Sequence, residues 1–303
     1  MSFYNLTLIK IFVLVIFALL THFTLIKFFH RFKAYQPIYN LSPSAHQKKS
    51  KTPTLGGITM LLSVWLGWAF FFTMSLKVTW LVALYSVFAL IGFFDDLLAL
   101  ALKKNKGLSA KQKFILQCFV SLVFIYLYSI YFSGLDWWHY PFYTFVIVGT
   151  SNATNLTDGL DGLLAGCSLI TLFGFYYIMV ESFQIDVSRF IVILIIIVTS
   201  FLLYNWNPAK LFMGDTGSLA LGAVFAGLAL LYADVWILLS LGAVYILETL
   251  SVIIQVIYFK RTKKRIFLMS PLHHHFELLG FKELHIVLIF YVIAFLFMLP
   301  VYF

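Results

Sequence analysis

Residues 79–98 read TWLVALYSVFALIGFFDDLL: sixteen uncharged, mostly apolar residues that run straight into two adjacent aspartates, Asp95 and Asp96. An apolar run of about 20 residues is the length a helix needs to cross the hydrocarbon core of a bilayer. The rest of the chain is built the same way. Of its 303 residues 62% are hydrophobic and only 11% charged, with 34 Phe, 17 Tyr and 7 Trp. That charged share is less than half the usual one, so a soluble fold of this length could not hide its apolar surface. The aromatic load suits a bilayer core and its two interfaces.

Outward from that stretch the chain divides into ten apolar spans, near 5–29, 55–76, 79–98, 114–133, 142–157, 162–180, 190–204, 217–232, 236–258 and 285–302. The first run is too long for a cleavable signal peptide, and no small-residue cleavage site ends it. No repeat of fixed period interrupts the pattern. The expected fold is all-α: a polytopic integral membrane protein with a single transmembrane domain over residues 1–303.

Basic residues orient it. The loops after the first, third, seventh and ninth spans hold 17 of the 21 Lys and Arg, against Lys77 and Arg189 on the other side. The positive-inside bias places those loops in the cytoplasm and both termini outside. The net charge of +9 therefore serves topology, and nucleic acid is not an expected partner. Cys118 and Cys167 match no metal-ligand spacing and read as small core residues. Trp137-Trp138-His139-Tyr140 reads as an interface anchor in a short outer loop.

Eight of the 12 acids gather on the cytoplasmic side: Asp95, Asp96, Asp158, Asp161, Asp215, Glu248, Glu277 and Glu283. Carboxylates at the edge of the hydrocarbon region cost several kcal/mol unless paired, hydrated or bound to metal. Adjacent Asp95 and Asp96 repel each other and call for positive charge, which lysines or a divalent cation supply. Mg²⁺ takes one or two carboxylates together with phosphate oxygens and water.

A second cluster, Asn152 to Gly162, holds Asn155, Asp158 and Asp161 with Gly159 and Gly162. A three-residue spacing puts Asp158 and Asp161 on one face if the segment is helical. Free N–H groups at the start of the following helix favour phosphate. The third cluster, Asn205 to Ser218, repeats the chemistry, with Gly214 and Gly217 flanking Asp215. The fourth is Pro271 to Glu277, with His273, His274 and His275. Three consecutive histidines diverge, so an anionic or sugar-bearing ligand suits them better than a transition metal. Ahead of the second span, Pro53 breaks the helix, Thr54 is placed to cap the next one, and Lys49 is placed to meet phosphate. Carboxylates for a cation, glycines at helix starts and lysines are the parts of a phosphoryl-transfer site.

The segments SKTPTLGG (50–57), GFFDD (92–96), NLTDGLDG (155–162), NWNPAKLFMGDTGSLALG (205–222) and PLHHHFELLGF (271–281) together resemble the phospho-N-acetylmuramoyl-pentapeptide transferases. That family belongs to the polyprenyl-phosphate N-acetylhexosamine-1-phosphate transferases. The likeness runs in order from about His46 to Phe281. It implies a Mg²⁺-dependent enzyme with its active site on the cytoplasmic face of the bacterial cytoplasmic membrane. Undecaprenyl phosphate would attack the β-phosphate of UDP-N-acetylmuramoyl-pentapeptide, giving lipid I and UMP. Direct attack and a phospho-aspartyl enzyme are both open, with direct attack favoured because the lipid phosphate is already a nucleophile. By motif, Asp95, Asp96 and Asp215 are the implied catalytic acids, with Asp95 deprotonating the lipid phosphate and Asp215 binding metal. Lys49, Asn155, Gly159, Leu160, Asp161, Asn205 and Phe212 correspond to the nucleotide pocket, where Phe212 offers a stacking face for uracil. Thr54, Lys111, Asp158 and His273 to His275 correspond to the phosphate and sugar region. The resemblance also implies a homodimer. The chain departs from the family pattern at Ala99, where Lys is usual, at Lys51 in place of Gly, and near Leu288, where an Arg is usual.

Two other readings compete. A relative using UDP-N-acetylglucosamine would share the site but carry a different spacing in the histidine loop. A secondary transporter would place its acids near the bilayer midplane in paired broken helices, whereas these acids crowd one end of the spans.

Overall fold

The computed structural model describes residues 3–32, 52–71, 75–102 and 107–302. Among them the chain is all-α, with no strand. The helices are α1 (Phe3–Phe32), α2 (Gly56–Phe71), α3 (Leu76–Ala101), α4 (Ala110–Tyr131), α5 (His139–Thr157), α6 (Leu163–Glu181), α7 (Ile185–Asn205), α8 (Gly214–Tyr232), α9 (Ile237–Leu241), α10 (Ala243–Thr262), α11 (Leu272–Leu278) and α12 (Glu283–Met298). A 3₁₀ turn, Leu299–Tyr302, closes the described chain.

Eight helices, α1, α3, α4, α6, α7, α8, α10 and α12, are long and apolar enough to cross a membrane, so the chain is a multi-pass membrane protein. Two more expected spans are helices of a different kind. With 16 residues, α2 is short for a full crossing. The 19-residue α5 is diluted by Ser151, Asn152, Thr154, Asn155 and Thr157, a polar run that turns out to line the site.

The expected span 236–258 is not one helix. It breaks at Gly242 into α9 and α10, and the second half of α10 has Ile253, Ile254, Val256, Ile257 and Phe259 exposed. Apolar residues on both sides of Gly242 hide such a break, because hydropathy does not register where one helix ends and the next begins.

Helix α8 is the axis, packed chiefly between α3 and α5, and nearly every residue from Thr216 to Leu231 is buried. Its sequence, GDTGSLALGAVFAGLALLY, explains that position. In lipid, small residues let backbones approach and gain close packing that apolarity alone does not provide. The contact with α3 is backbone to backbone: a Cβ on Gly92 would fall 2.1 Å from the Asp215 carbonyl oxygen. Hydroxyls fix the contact with α5, Ser151 donating to the Leu219 carbonyl at 2.9 Å and Thr154 to the Ser218 carbonyl at 2.8 Å. The crossing of α3 over α8 therefore carries Asp95 and Asp96 to the start of α8, where Asp215 sits.

Candidate active site

Asp95 and Asp96 are consecutive on α3, so their side chains leave the helix about 100° apart and do different things. Asp96 is buried and caps α8 from outside. Its Oδ1 accepts from the Asp215 backbone N–H at 3.2 Å, and its Oδ2 from the Thr216 N–H at 3.0 Å and the Thr216 hydroxyl at 2.7 Å. A carboxylate at a helix N-terminus satisfies orphan donors and complements the helix dipole. Gly214, with φ of 75°, makes the approach possible, since a Cβ there would lie 2.6 Å from Asp96 Oδ2.

Asp95 points the other way. Its Oδ1 accepts from the Leu108 N–H at 2.8 Å and its Oδ2 lies 3.7 Å from the Lys113 ammonium. Lys113 also pairs with Asp215, whose second oxygen accepts from Asn155 at 2.7 Å. Asn155 is held in turn by Ser218 at 2.9 Å. Three elements thus meet through α3, α4 and α8, with α5 supplying the amide.

A cavity of about 300 Å³ opens on one side of this junction. It is lined by Thr54, Asp96, Asn155, Asp158, Gly159, Leu160, Asp161, Asn205, Phe212, Gly214 and Asp215. Ten of the residues singled out from the sequence therefore share one wall-to-wall space. A larger cavity of about 1010 Å³ lies on the other side, lined by Asp95, Gly107, Leu108, Ser109, Ala110, Gln112, Lys113, Phe114 and Asn152. The aspartate pair divides the two.

Several local expectations change. Residues 158–162 form a turn between α5 and α6, so Asp158 and Asp161 do not share a helix face. Asp161 instead ties loops together: its Oδ2 accepts from the Ala209 N–H at 2.9 Å and from Asn207, while its own N–H donates to Glu283 at 2.7 Å. Asn205 accepts from the Gly162 N–H and donates to the Leu211 carbonyl, both at 2.9 Å. Thr54 lines the cavity, but the first N–H groups of α2 donate to the Phe212 and Met213 carbonyls. The N–H groups at Gly56, Gly57, Asp161, Gly162, Asp215 and Thr216 all have protein acceptors. Positive charge for phosphate must come from side chains or a cation.

The histidines diverge as expected. His273 is buried against Glu248, His274 faces Glu277 at 2.7 Å, and His275 accepts from the Leu268 N–H at 3.1 Å. Lys111 is exposed and lines neither cavity. The residue reading from sequence passed over is Lys113, two positions on and across the helix. Its face carries Gln117 and Ser121, both fully buried, and that polar i, i+4, i+8 ladder on an apolar helix was a usable signal. Ser109 sets the phase of α4 through a capping box with Gln112. Lys49, Lys51 and Lys103 lie outside the described residues. Ala99 is buried, and Leu288 is an exposed apolar position.

Five carboxylates, those of Asp95, Asp96, Asp158, Asp161 and Asp215, line the two cavities, with Lys113 as the lysine that lines them among the described residues. The imbalance has a visible consequence. Burial, then the charges of Asp215, Asp96 and Asp161, push the Asp158 carboxyl up to about 8. No three His, Cys, Asp or Glu among the described residues form a ready cage for a metal. An excess of carboxylate with no complete cage fits a Mg²⁺ ion that takes one or two protein ligands and completes its shell with phosphate and water.

The pattern of the family described as Glycosyl transferase family 4 matches residues 78–233 of this bundle of membrane-crossing helices, so the chain falls in that class of transferase. That match spans α3 to α8 and so contains every carboxylate of the junction. Curated relatives extend over nearly the whole chain. The phospho-N-acetylmuramoyl-pentapeptide-transferase of Geobacillus thermodenitrificans is 44% identical over 297 residues, 91% of each chain. Those of Listeria welshimeri and Bacillus subtilis are each 42% identical over 284 residues, 88% of each chain. The chain belongs to the phospho-N-acetylmuramoyl-pentapeptide-transferase family.

Proposed function

We propose that this protein transfers phospho-N-acetylmuramoyl-pentapeptide from its UDP carrier to undecaprenyl phosphate, giving lipid I and UMP. The observation that carries the reading is the placement of the Asp95–Asp96 pair and Asp215 between two cavities. A two-substrate transfer needs a site open to each substrate, with the charge-bearing groups between them. The smaller cavity, with the Phe212 ring and the Asp158–Asp161 turn, suits the nucleotide. The larger one, with Lys113 and Asp95, suits the lipid phosphate.

In the reaction an oxygen of the lipid phosphate forms a bond to the β-phosphorus of the UDP-sugar. The bond from that phosphorus to the bridging oxygen of UMP breaks, and the electron pair leaves with UMP. Asp95 accepts the proton of the lipid phosphate when it arrives protonated. Lys113 neutralises phosphate charge beside it, and Asn155 orients Asp215. Asp96 fixes where Asp215 stands through the start of α8. Asp215 is the residue that would hold Mg²⁺, which when bound supplies charge neutralisation for the diphosphate and the departing UMP. Attack is direct, since the lipid phosphate is already a nucleophile.

The same reading places all ten expected spans in the bacterial cytoplasmic membrane as one catalytic domain over residues 1–303, with both termini outside and the site in the cytoplasm. The homodimer rests on the family resemblance alone. UDP-N-acetylglucosamine is the less favoured donor, because the relatives named above carry the muramoyl-pentapeptide in their names. Purified protein in detergent, given both substrates, should release UMP when Mg²⁺ is added and stop when it is chelated. Absence of UMP release with both substrates and Mg²⁺ present would sink the reading.

A further inference from the structure

Glu248 belongs to none of the motifs above, yet it is fully buried in α10. A buried carboxylate without a partner costs several kcal/mol, so its contacts are informative. Both oxygens turn to one residue: Oε1 accepts from the His273 backbone N–H at 3.3 Å, and Oε2 lies 3.1 Å from His273 Nδ1. This two-point grip fixes the ring's place and assigns Nδ1–H to the carboxylate, leaving Nε2 to act elsewhere. His273 is itself buried, and its Nε2 has no hydrogen-bond partner among the described residues. An orphaned buried nitrogen calls for a ligand or a bound water.

The position of that nitrogen narrows the choice. Nε2 sits against Gly159, where a Cβ would fall 2.1 Å away, and Gly159 lines the smaller cavity. Only glycine leaves room for the imidazole to pack against that edge of the cavity wall. His274 and His275 differ, since Glu277 and the Leu268 N–H hold them within their own segment.

We propose that Glu248 is a positioning residue for the transfer: it clamps His273 so that Nε2 meets a polar oxygen of the bound nucleotide sugar at the Gly159 edge. The inference rests on the lipid I reading and adds to it a residue outside the motifs. The arrangement follows the general logic of a carboxylate that orients an imidazole whose other nitrogen does the work.

The test compares full-length wild type, Glu248→Gln, Glu248→Asp, His273→Asn and the double variant Glu248→Gln/His273→Asn. UMP release gives kcat and KM, and thermal unfolding reports stability. Glu248→Gln should lower kcat/KM at least about tenfold, the scale seen when an outer partner of a working histidine is lost. Glu248→Asp should recover part of the loss, and the double variant should be no slower than His273→Asn alone. Because Glu248→Gln can fail to fold, ¹⁵N resonances of histidine-labelled wild type provide a second reading. Adding the UDP-sugar should move the His273 Nε2 resonance more than that of Nδ1. The proposal is overturned by wild-type kcat/KM in a stably folded Glu248→Gln, by multiplicative losses in the double variant, or by an Nε2 resonance that ignores substrate. Wild type that releases no UMP would overturn the lipid I reading itself, and the role of Glu248 with it.

Discussion

The two sides of the Asp95–Asp96 pair are chemically alike and structurally opposite. On the Asp96 side the cavity is small, and its wall is built of groups already bonded to one another: Asp96 to the start of α8, Asn205 to Gly162 and Leu211, Asp161 to Ala209. On the Asp95 side the cavity is about three times larger, and Asp95 and Lys113 hold each other loosely at 3.7 Å. One side is a frame of hydrogen bonds that fixes positions, and on the other Lys113 is shared between Asp215 and Asp95. Adjacent residues of one type can therefore differ entirely in role, because a helix turns them to different neighbours.

The comparison can be broken in order of expected effect. Asp215 belongs to both sides, so Asp215→Asn should cut kcat on the order of 10³-fold, the scale for losing a principal electrostatic group. Unchanged turnover at limiting Mg²⁺ would remove it from the cation's shell. Next, Lys113→Ala should cost about 10²-fold in UMP release, while Lys111→Ala, on the exposed face, should stay within about twofold. The reverse ranking would mean that α4 presents its other face to the site.

The pair itself offers a finer separation. Asp96→Asn should destabilise the fold by about 1–3 kcal/mol, since it weakens a buried cap with three donors. Asp95→Asn should leave the thermal midpoint near wild type while lowering kcat. Equal midpoints for the two variants would contradict the frame assigned to Asp96.

The smallest effect concerns pH. Asp158 is pushed up to about 8, so below that pH it tends to be protonated, and the protonated form attracts a cation less. Mg²⁺ affinity should therefore weaken as pH falls from about 9 to 7, and Asp158→Asn should flatten that dependence. Titrations of activity against Mg²⁺ at the two pH values read it directly.

Much of this was legible in the sequence, and the rest was hidden for definable reasons. Every expected span falls on helix, yet only eight helices are long and apolar enough to cross a bilayer, because α2 is short and α5 carries the polar residues of the site. The break at Gly242 escaped, since α9 and α10 are apolar on both sides of it. Asp158, Asp161, Asn155, Asn205 and Phe212 stood out as polar or aromatic groups in glycine-rich loops, and they do share a cavity. Their loop-tying hydrogen bonds could not be foreseen, because partners such as Glu283 and Ala209 are distant in sequence. Lys113 was masked by its neighbour Lys111, as composition does not tell which face of α4 turns inward. Glu248 was counted among the cytoplasmic-side acids, but its pairing was hidden because its partner is 25 residues away.

The most direct test of the whole account is a side-by-side assay with undecaprenyl phosphate and Mg²⁺, following UMP release from UDP-N-acetylmuramoyl-pentapeptide and from UDP-N-acetylglucosamine. The account predicts UMP and a lipid-linked product from the muramoyl-pentapeptide donor and little from the other. UMP released only from UDP-N-acetylglucosamine, or ion flux in liposomes with no UMP from either donor, would contradict it.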